Sequence, residues 1–265
     1  MKILFFGDIF GKPGRKILYE CLPSLTKKYK PNFIIANAEN ASHGKGLNKK
    51  HFLALQQIGI NCFTMGNHTW DKNEIYEFID DTKIVRPYNI SNESLPGQKG
   101  CGSRIYTFGE KKIRVTNLLG SSIYIKFPLL NPFLIMEREI LKKEEKANIH
   151  IVDFHAETTS EKNAFRYDFD GQVSAIFGTH THVATFDARI SAKKTFYVTD
   201  VGMCGPGYNS VIGANPECAL AKFKDPEKKF QLQIDRVDQQ LNGIFLQFDK
   251  QTDQPIYFEQ IKIIR

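Results

Sequence analysis

The chain has 265 residues, 42% hydrophobic and 25% charged, with 36 Lys and Arg against 29 Asp and Glu for a formal net charge of +7. That composition excludes a disordered or fibrous chain, and no apolar run approaches the roughly 20 residues that a membrane span needs. The apolar stretch at 3–6 is too short for a secretory leader, and the five cysteines are scattered with no CxxC pair, so a reducing cytoplasm is the expected setting.

Residues 2–6 predict a buried strand running into a polar, glycine-containing turn at 7–12. Pro13 then suits the first turn of a helix to about residue 30. A second apolar run, 33–36, ends in Asn37-Ala38-Glu39-Asn40 and a glycine-rich loop, after which Asn48 can cap a helix over 49–58. A third, 62–65, ends in Gly66-Asn67-His68-Thr69-Trp70, with Asp71 placed to cap another helix. Strand, polar loop and helix recurring in this way predict a βαβ architecture with a mostly parallel sheet. Trp70 and Phe63 are expected in the core.

Residues 86–102 read as a long loop, and 103–108 with 112–118 as a hairpin. Asn131-Pro132 predicts a helix to about residue 147, its acids preceding its lysines as the helix dipole prefers. A strand over 149–154 ends in Asp153-Phe154-His155-Ala156-Glu157. A helix over 160–169 and a strand over 173–177 lead to Gly178-Thr179-His180-Thr181-His182. The last third, with apolar runs at 195–199, 218–223, 230–236, 242–248 and 256–264, predicts antiparallel strands. Gly205-Pro206-Gly207-Tyr208-Asn209-Ser210 reads as a turn. No repeat or low-complexity linker divides the chain, and a single domain over 1–265 is expected. Lysine clusters at 27–30, 142–146 and 222–229 read as solvated faces; the net charge alone does not establish nucleic-acid binding.

Five apolar strands are thus each followed by side chains that bind metal or move protons: Asp8; Glu39 and Asn40; Asn67 and His68; His155; His180 and His182. In open α/β sheets ligands sit beyond the carboxyl ends of the strands, so parallel order collects these residues into one cleft. In an extended segment His180 and His182 would point to one side. His43, His51 and His150 follow no strand in this way and read as structural or exposed. Carboxylate, amide and imidazole without thiolate suit manganese, iron or zinc. Asp8, Glu39, Asn40, Asn67, His155, His180 and His182 are too many for one catalytic ion but enough for two roughly 3.5–4 Å apart. His68, beside Asn67, is then free to protonate a leaving oxygen. The segment at 7–13 is no P-loop, because Pro13 stands where a Ser or Thr would bind magnesium. No G-x-S-x-G elbow is present.

Gly7-Asp8, Gly66-Asn67-His68 and Gly178-Thr179-His180-Thr181-His182 resemble the GD, GNH and GHxH blocks of calcineurin-like metallophosphoesterases. Phe10 replaces the usual first-block His, and Glu39-Asn40 replaces the usual second-block Asp. With Asp153-Phe154-His155-Ala156-Glu157 and Thr199-Asp200-Val201-Gly202-Met203, these departures resemble the YmdB-type branch of 2′,3′-cyclic-nucleotide 2′-phosphodiesterases.

The resemblance implies a four-layer α/β/β/α sandwich of two mixed sheets. It also implies two iron or manganese ions and a homo-oligomer; no membrane association is expected from the short apolar runs. By position it implies Asp8, Asn40 and His182 at one metal, Asn67, His155 and His180 at the other, Glu39 bridging, and His68 as proton donor. The expected reaction is hydrolysis of cyclic nucleotides, 2′,3′-cyclic and also 3′,5′-cyclic, by a hydroxide shared between the metals. The alternatives are a phosphomonoesterase or RNA 3′-end nuclease at the same site, or a regulatory nucleotide- or RNA-binding protein with little turnover.

Overall fold

Strand β1 (Lys2–Phe6) leads through the two-residue β2 (Asp8–Ile9) into α1 (Gly11–Tyr29); β3 (Phe33–Asn37), α2 (Lys49–Gln57), β4 (Cys62–Thr64) and β5 (Ile84–Val85) follow. Next come the hairpin of β6 (Ser103–Phe108) and β7 (Lys111–Leu119), α3 (Pro132–Ile135), β8 (Ile149–His155), α4 (Thr159–Phe169) and β9 (Ala175–Thr179). The chain continues through β10 (Arg189–Ile190), β11 (Phe196–Val198), β12 (Met203–Pro206) and α5 (Pro216–Lys224) to the hairpin of β13 (Gln239–Phe248) and β14 (Pro255–Ile264). This computed structural model describes all residues except 96, 98, 226, 228–232 and 236.

The strands form two mixed sheets. The first has the order β2-β12-β13-β1-β3-β4-β5, with β14 on β13, and the second β10-β11-β9-β8-β7-β6. Strands β1, β3, β4 and β5 run parallel, as do β7, β8, β9 and β11; the outer hairpin strands are antiparallel.

Alternation along β1 sets the layers. Ile3 and Phe5 turn inward to a core between the sheets shared with Ile151, Phe177 and Val198, while Leu4 and Phe6 turn outward beneath α1 and α2. Phe5 stacks on Phe177 across the sheets at 4.2 Å between ring centroids. A third cluster packs Phe165 and Phe169 of α4 against Phe154, Ile176 and Tyr197 on the outer face of the second sheet. Helix, sheet, sheet, helix is therefore the layer order. Trp70 and Phe63 lie in the outer core of the first sheet, as expected. Among the described residues no helix is long and apolar enough to cross a membrane.

Several local expectations change. Residues 218–223 belong to helix α5, not a strand: Pro216 occupies its first turn and the Asn215 side chain accepts from the Cys218 N–H. Strand β11 is antiparallel only to β10 and runs parallel to β9, because the chain doubles back through β10 before re-entering the sheet. The helix after Asn131 continues from α3 as a π-helical segment, Met136–Leu141, and ends by residue 143, since 142–147 (KKEEKA) offers only one apolar side chain to pack. Asp71 caps no helix; a 3-10 turn, Asn73–Glu77, follows without a side-chain cap. Gly205 and Pro206 belong to β12, and the turn begins only after them. Most of the expected strand at 230–236 lies outside the described residues; Ile234 makes an isolated bridge to Ala214.

Candidate active site

The carboxyl ends of the parallel strands of both sheets meet at one edge. Asp8 arrives just after β1, Glu39 and Asn40 after β3, Asn67 and His68 after β4, His155 as the last residue of β8, and His180 and His182 after β9. Asp8, Glu39, Asn40 and His155 are buried, and His182 is 8% exposed. All eight expected site residues come together, seven in one contact network and His68 at its rim.

The contacts centre on His155. Its Nε2 lies 3.2 Å from Glu39 Oε1, 3.1 Å from Asn67 Oδ1 and 3.0 Å from His180 Nδ1. One ligand atom from each of Glu39, His155 and His180 lies within 4.8 Å of the others. Asp8 Oδ1 is 3.8 Å from His155 and 4.0 Å from His182 Nε2. The Asn40 amide nitrogen donates to Glu39 Oε1 at 2.9 Å and faces His182 Nε2 at 3.2 Å.

Each histidine's outer nitrogen is tied to an acceptor. The Thr179 hydroxyl donates to Asp153 at 2.6 Å, and so accepts from His155 Nδ1 at 2.8 Å. His180 Nε2 donates to Glu157 at 2.8 Å, and His182 Nδ1 to the Ile212 carbonyl at 2.9 Å. In its neutral form each ring therefore turns a lone pair inward, which is how metal-binding histidines are oriented. The centre is lined by lone pairs with few protons between them. Asp8 Oδ1 and Asn40 Oδ1 are buried without a hydrogen-bond partner, an arrangement that costs free energy unless a cation satisfies it. The donor set fits metal ions, and Asp8, Glu39, Asn40, Asn67, His155, His180 and His182 are the residues that could hold them.

Electrostatics agree. Burial would lift the Glu39 carboxyl, but the His155 charge and hydrogen bond outweigh it and hold Glu39 below the usual range. Burial opposes a charge on His155, yet Glu39, Asp8 and Asp153 together push its pKa up to about 9. His180 is pushed down to about 3 by burial and by His155, and Asp8 is raised by burial. The carboxylates around His155 thus favour positive charge at the centre, which a bound cation would supply.

His180 and His182 are not in an extended segment. Their φ angles are +99° and +67°, so they reach the site by a strained loop. Asp8 accepts from the His180 N–H at 3.2 Å, and Asp200 accepts from both the N–H and the hydroxyl of Thr181. Lys162, wholly buried, donates to Asp200 and to the Thr179 carbonyl, both at 2.8 Å. Gly66 is required for a different reason: a Cβ there would lie 2.2 Å from Glu39 Oε2 and 2.5 Å from His155 Nε2.

His68 stands at the rim. Its backbone N–H donates to Glu39 at 2.9 Å, and its Nδ1 lies 2.8 Å from Asp71 Oδ2. A carboxylate only accepts, so Nδ1 carries the hydrogen and Nε2 is the nitrogen left to serve a substrate. Two clefts meet at His68. One, of about 630 Å³, is walled by Phe10, Ile212, Ala219 and Phe223. The other, of about 550 Å³, is walled by Trp70, Tyr124, Lys126 and Phe127. Lys45, His68, Glu157 and His180 border both. The turn after Pro206 borders neither. Asp71, Asp153, Glu157, Lys162 and Asp200 escaped the strand-end pattern, although Asp71 three residues after His68, and Asp153 two before His155 on one strand face, were visible as spacings.

The chain resembles known proteins along its whole length. A Bacillus subtilis protein named 2′,3′-cyclic-nucleotide 2′-phosphodiesterase is 43% identical over 99% of this chain and 97% of its own. A crystal structure of a novel phosphatase from Mycoplasma pneumoniae superposes with a TM-score of 0.94 at 47% identity, covering 100% of this chain and 93% of that one. A hypothetical protein from Thermus thermophilus gives a TM-score of 0.90 at 35% identity, covering 100% and 99%. The fold is that of a phosphoesterase, its relatives being named phosphatases and phosphodiesterases. Within that class the chain belongs to the YmdB-like protein family, whose model matches residues 4–261.

Proposed function

We propose that this protein is a metal-dependent phosphodiesterase that opens nucleoside 2′,3′-cyclic phosphates to 3′-phosphates, and that also accepts 3′,5′-cyclic nucleotides. The observation that carries it is the ring of inward lone pairs from Asp8, Glu39, Asn67, His155, His180 and His182, with a separately held His68 beside it. The name of the Bacillus subtilis relative supports the substrate class. Asp8, Asn40 and His182 would hold one metal and Asn67, His155 and His180 the other, with Glu39 between them; iron or manganese suits the set, and zinc is compatible. Bound cations supply polarisation of the phosphoryl group and a lowered pKa for a water nucleophile.

The chain's own residues do the rest. The oxygen of water joins phosphorus and its proton passes to solvent, the P–O2′ bond breaks, and His68, entering the step as the imidazolium, delivers its Nε2 proton to O2′. Asp71, accepting from Nδ1–H, pairs with the protonated ring and aims Nε2 toward the substrate. Clefts on both sides of His68 give the nucleoside room. A phosphomonoesterase at the same site is the second reading, favoured by the description of the Mycoplasma pneumoniae structure. The continuous core between the sheets supports one catalytic domain.

Turnover of 2′,3′-cyclic AMP should be abolished by chelation and restored by manganese. His68→Ala should keep its metal content by elemental analysis yet lose roughly 10²–10⁴-fold in kcat on that substrate. It should lose far less on a p-nitrophenyl diester, whose leaving oxygen needs no proton. Equal losses on the two substrates remove His68 from the proton-donor role, and a 2′-phosphate product would overturn the direction of ring opening.

A further inference from the structure

A nucleoside cyclic phosphate carries both ester oxygens on one ribose, so everything else in the substrate leaves the phosphorus on the ribose side. Two arms diverge from that ring, the base at C1′ and the 5′ carbon at C4′. The site has two clefts diverging from His68 in the same manner, and their walls differ in chemistry. The first is largely apolar, with Phe10 and a 78% exposed Phe223, although Lys222 also borders it, and offers a surface on which a base can stack. The second presents a 90% exposed Tyr124 and Lys126, with Lys45 at the junction. Among the described residues neither Lys45 nor Lys126 forms an ion pair. An exposed aromatic and lysines outside any ion pair, Lys126 lying 5.2 Å over the Phe127 ring, are together the elements that hold a single-stranded nucleic acid, one taking a base face and the other a phosphate.

Size points the same way. A single small-molecule site measures about 300–1,000 Å³, and each cleft alone, at about 630 and 550 Å³, reaches that range. A mononucleotide that puts its base in one cleft reaches the other only with its 5′ hydroxyl.

From this we infer that the preferred substrate is an RNA 3′ end carrying a 2′,3′-cyclic phosphate, the terminal base lying in the Phe10–Phe223 cleft and the 5′-linked nucleotide in the Tyr124–Lys126 cleft. The inference rests on the proposed hydrolytic site and adds a second nucleotide subsite to it. The bond change is unaltered: water adds to phosphorus and O2′ leaves protonated, while the 5′-linked phosphodiester stays intact.

The test compares 2′,3′-cyclic AMP with the dinucleotide ApA ending in a 2′,3′-cyclic phosphate, on manganese-loaded wild type and on a Tyr124→Ala/Lys126→Ala variant. Wild type should favour the dinucleotide by about tenfold or more in kcat/KM, expressed in KM. In the variant the ratio should fall toward one. In parallel, binding of the products, 3′-AMP and ApA 3′-phosphate, is measured by calorimetry, where no turnover is needed. A binding preference for the dinucleotide in wild type that the variant loses supports the subsite, even if neither cyclic substrate were hydrolysed; that result would remove only the hydrolytic reading. Equal affinity for the two products in wild type, or a variant that weakens both alike, overturns the subsite.

Discussion

Side chains at this site are defined by what holds their far ends. His68 is 26% exposed, yet its ring is fixed by Asp71 behind it and its backbone by Glu39 beneath. His155, His180 and His182 have their outer nitrogens tied to Thr179, Glu157 and Ile212, which decides which nitrogen faces inward. His150 shows the contrasting fate of a histidine with no task at the centre. Its Nε2 meets the Thr116 hydroxyl at 2.9 Å, and burial together with Arg114 pushes its pKa down to about 3. The folded pKa lies below the unfolded one, so the unfolded chain binds the extra proton and stability is lost as pH falls below about 6.5 toward 3. Between pH 7.5 and 5 the loss amounts to about 2 kcal/mol. Urea titrations of wild type and His150→Gln across that window should show a shallower decline in the variant, and parallel curves would remove His150 from the acid response.

At the scale of elements, the loop after β9 is the costly part. Two non-glycine residues at positive φ store on the order of 1–3 kcal/mol each, and the loop persists because Asp8, Asp200 and Lys162 bind its backbone from three directions. Lys162 and Asp200 form an ion pair with side chains 1% and 0% exposed. Breaking such a pair from one side leaves a buried charge and costs about 3–5 kcal/mol. Lys162→Met should therefore destabilise by about that much and lower kcat as His180 and His182 drift. Lys162→Met/Asp200→Asn should destabilise by less than the sum of its two single changes; additivity in a double-mutant cycle would show that the two residues act separately.

This loop also marks how far the sequence could be read. The strand ends were legible because each short apolar run stops abruptly at Asp8, Glu39, Asn67, His155 or His180, and parallel order did the gathering. The path of His180 and His182 was not legible, since their φ angles depend on Asp8 and Asp200, distant in the chain. Helix α5 was misread from its apolar residues although Asn215-Pro216 repeats the start signal recognised at Asn131-Pro132. Asp71 was read by the same capping rule and went instead to His68, a tertiary partner prevailing over a local one.

Across the whole molecule, Asp8, Glu39 and Asp200 bring acidic groups into a buried centre beside Asp153, whose carboxyl burial pushes up to about 6. Cations that bind only the folded form stabilise it by mass action, about 4 kcal/mol at a thousandfold excess over Kd. For a chain of this size 1 kcal/mol moves Tm by about 2–4 °C. Chelated protein should therefore melt several degrees lower, and manganese should restore the loss in proportion to the logarithm of its concentration. A Tm indifferent to chelation would mean that the folded centre tolerates its own charge.

The centre is built half from residues 8–68, carried on the first sheet, and half from residues 155–182, carried on the second. Neither sheet alone presents more than a partial set of donors, so the centre can exist only once Phe5 has met Phe177 and the two faces have docked. An ion that needs donors from both sheets can be held only after they dock, so its binding would report on that docking. A mutation that loosens the seam between the sheets, far from any ligand, would be felt first as a weakened grip on metal, before the chain as a whole gives way.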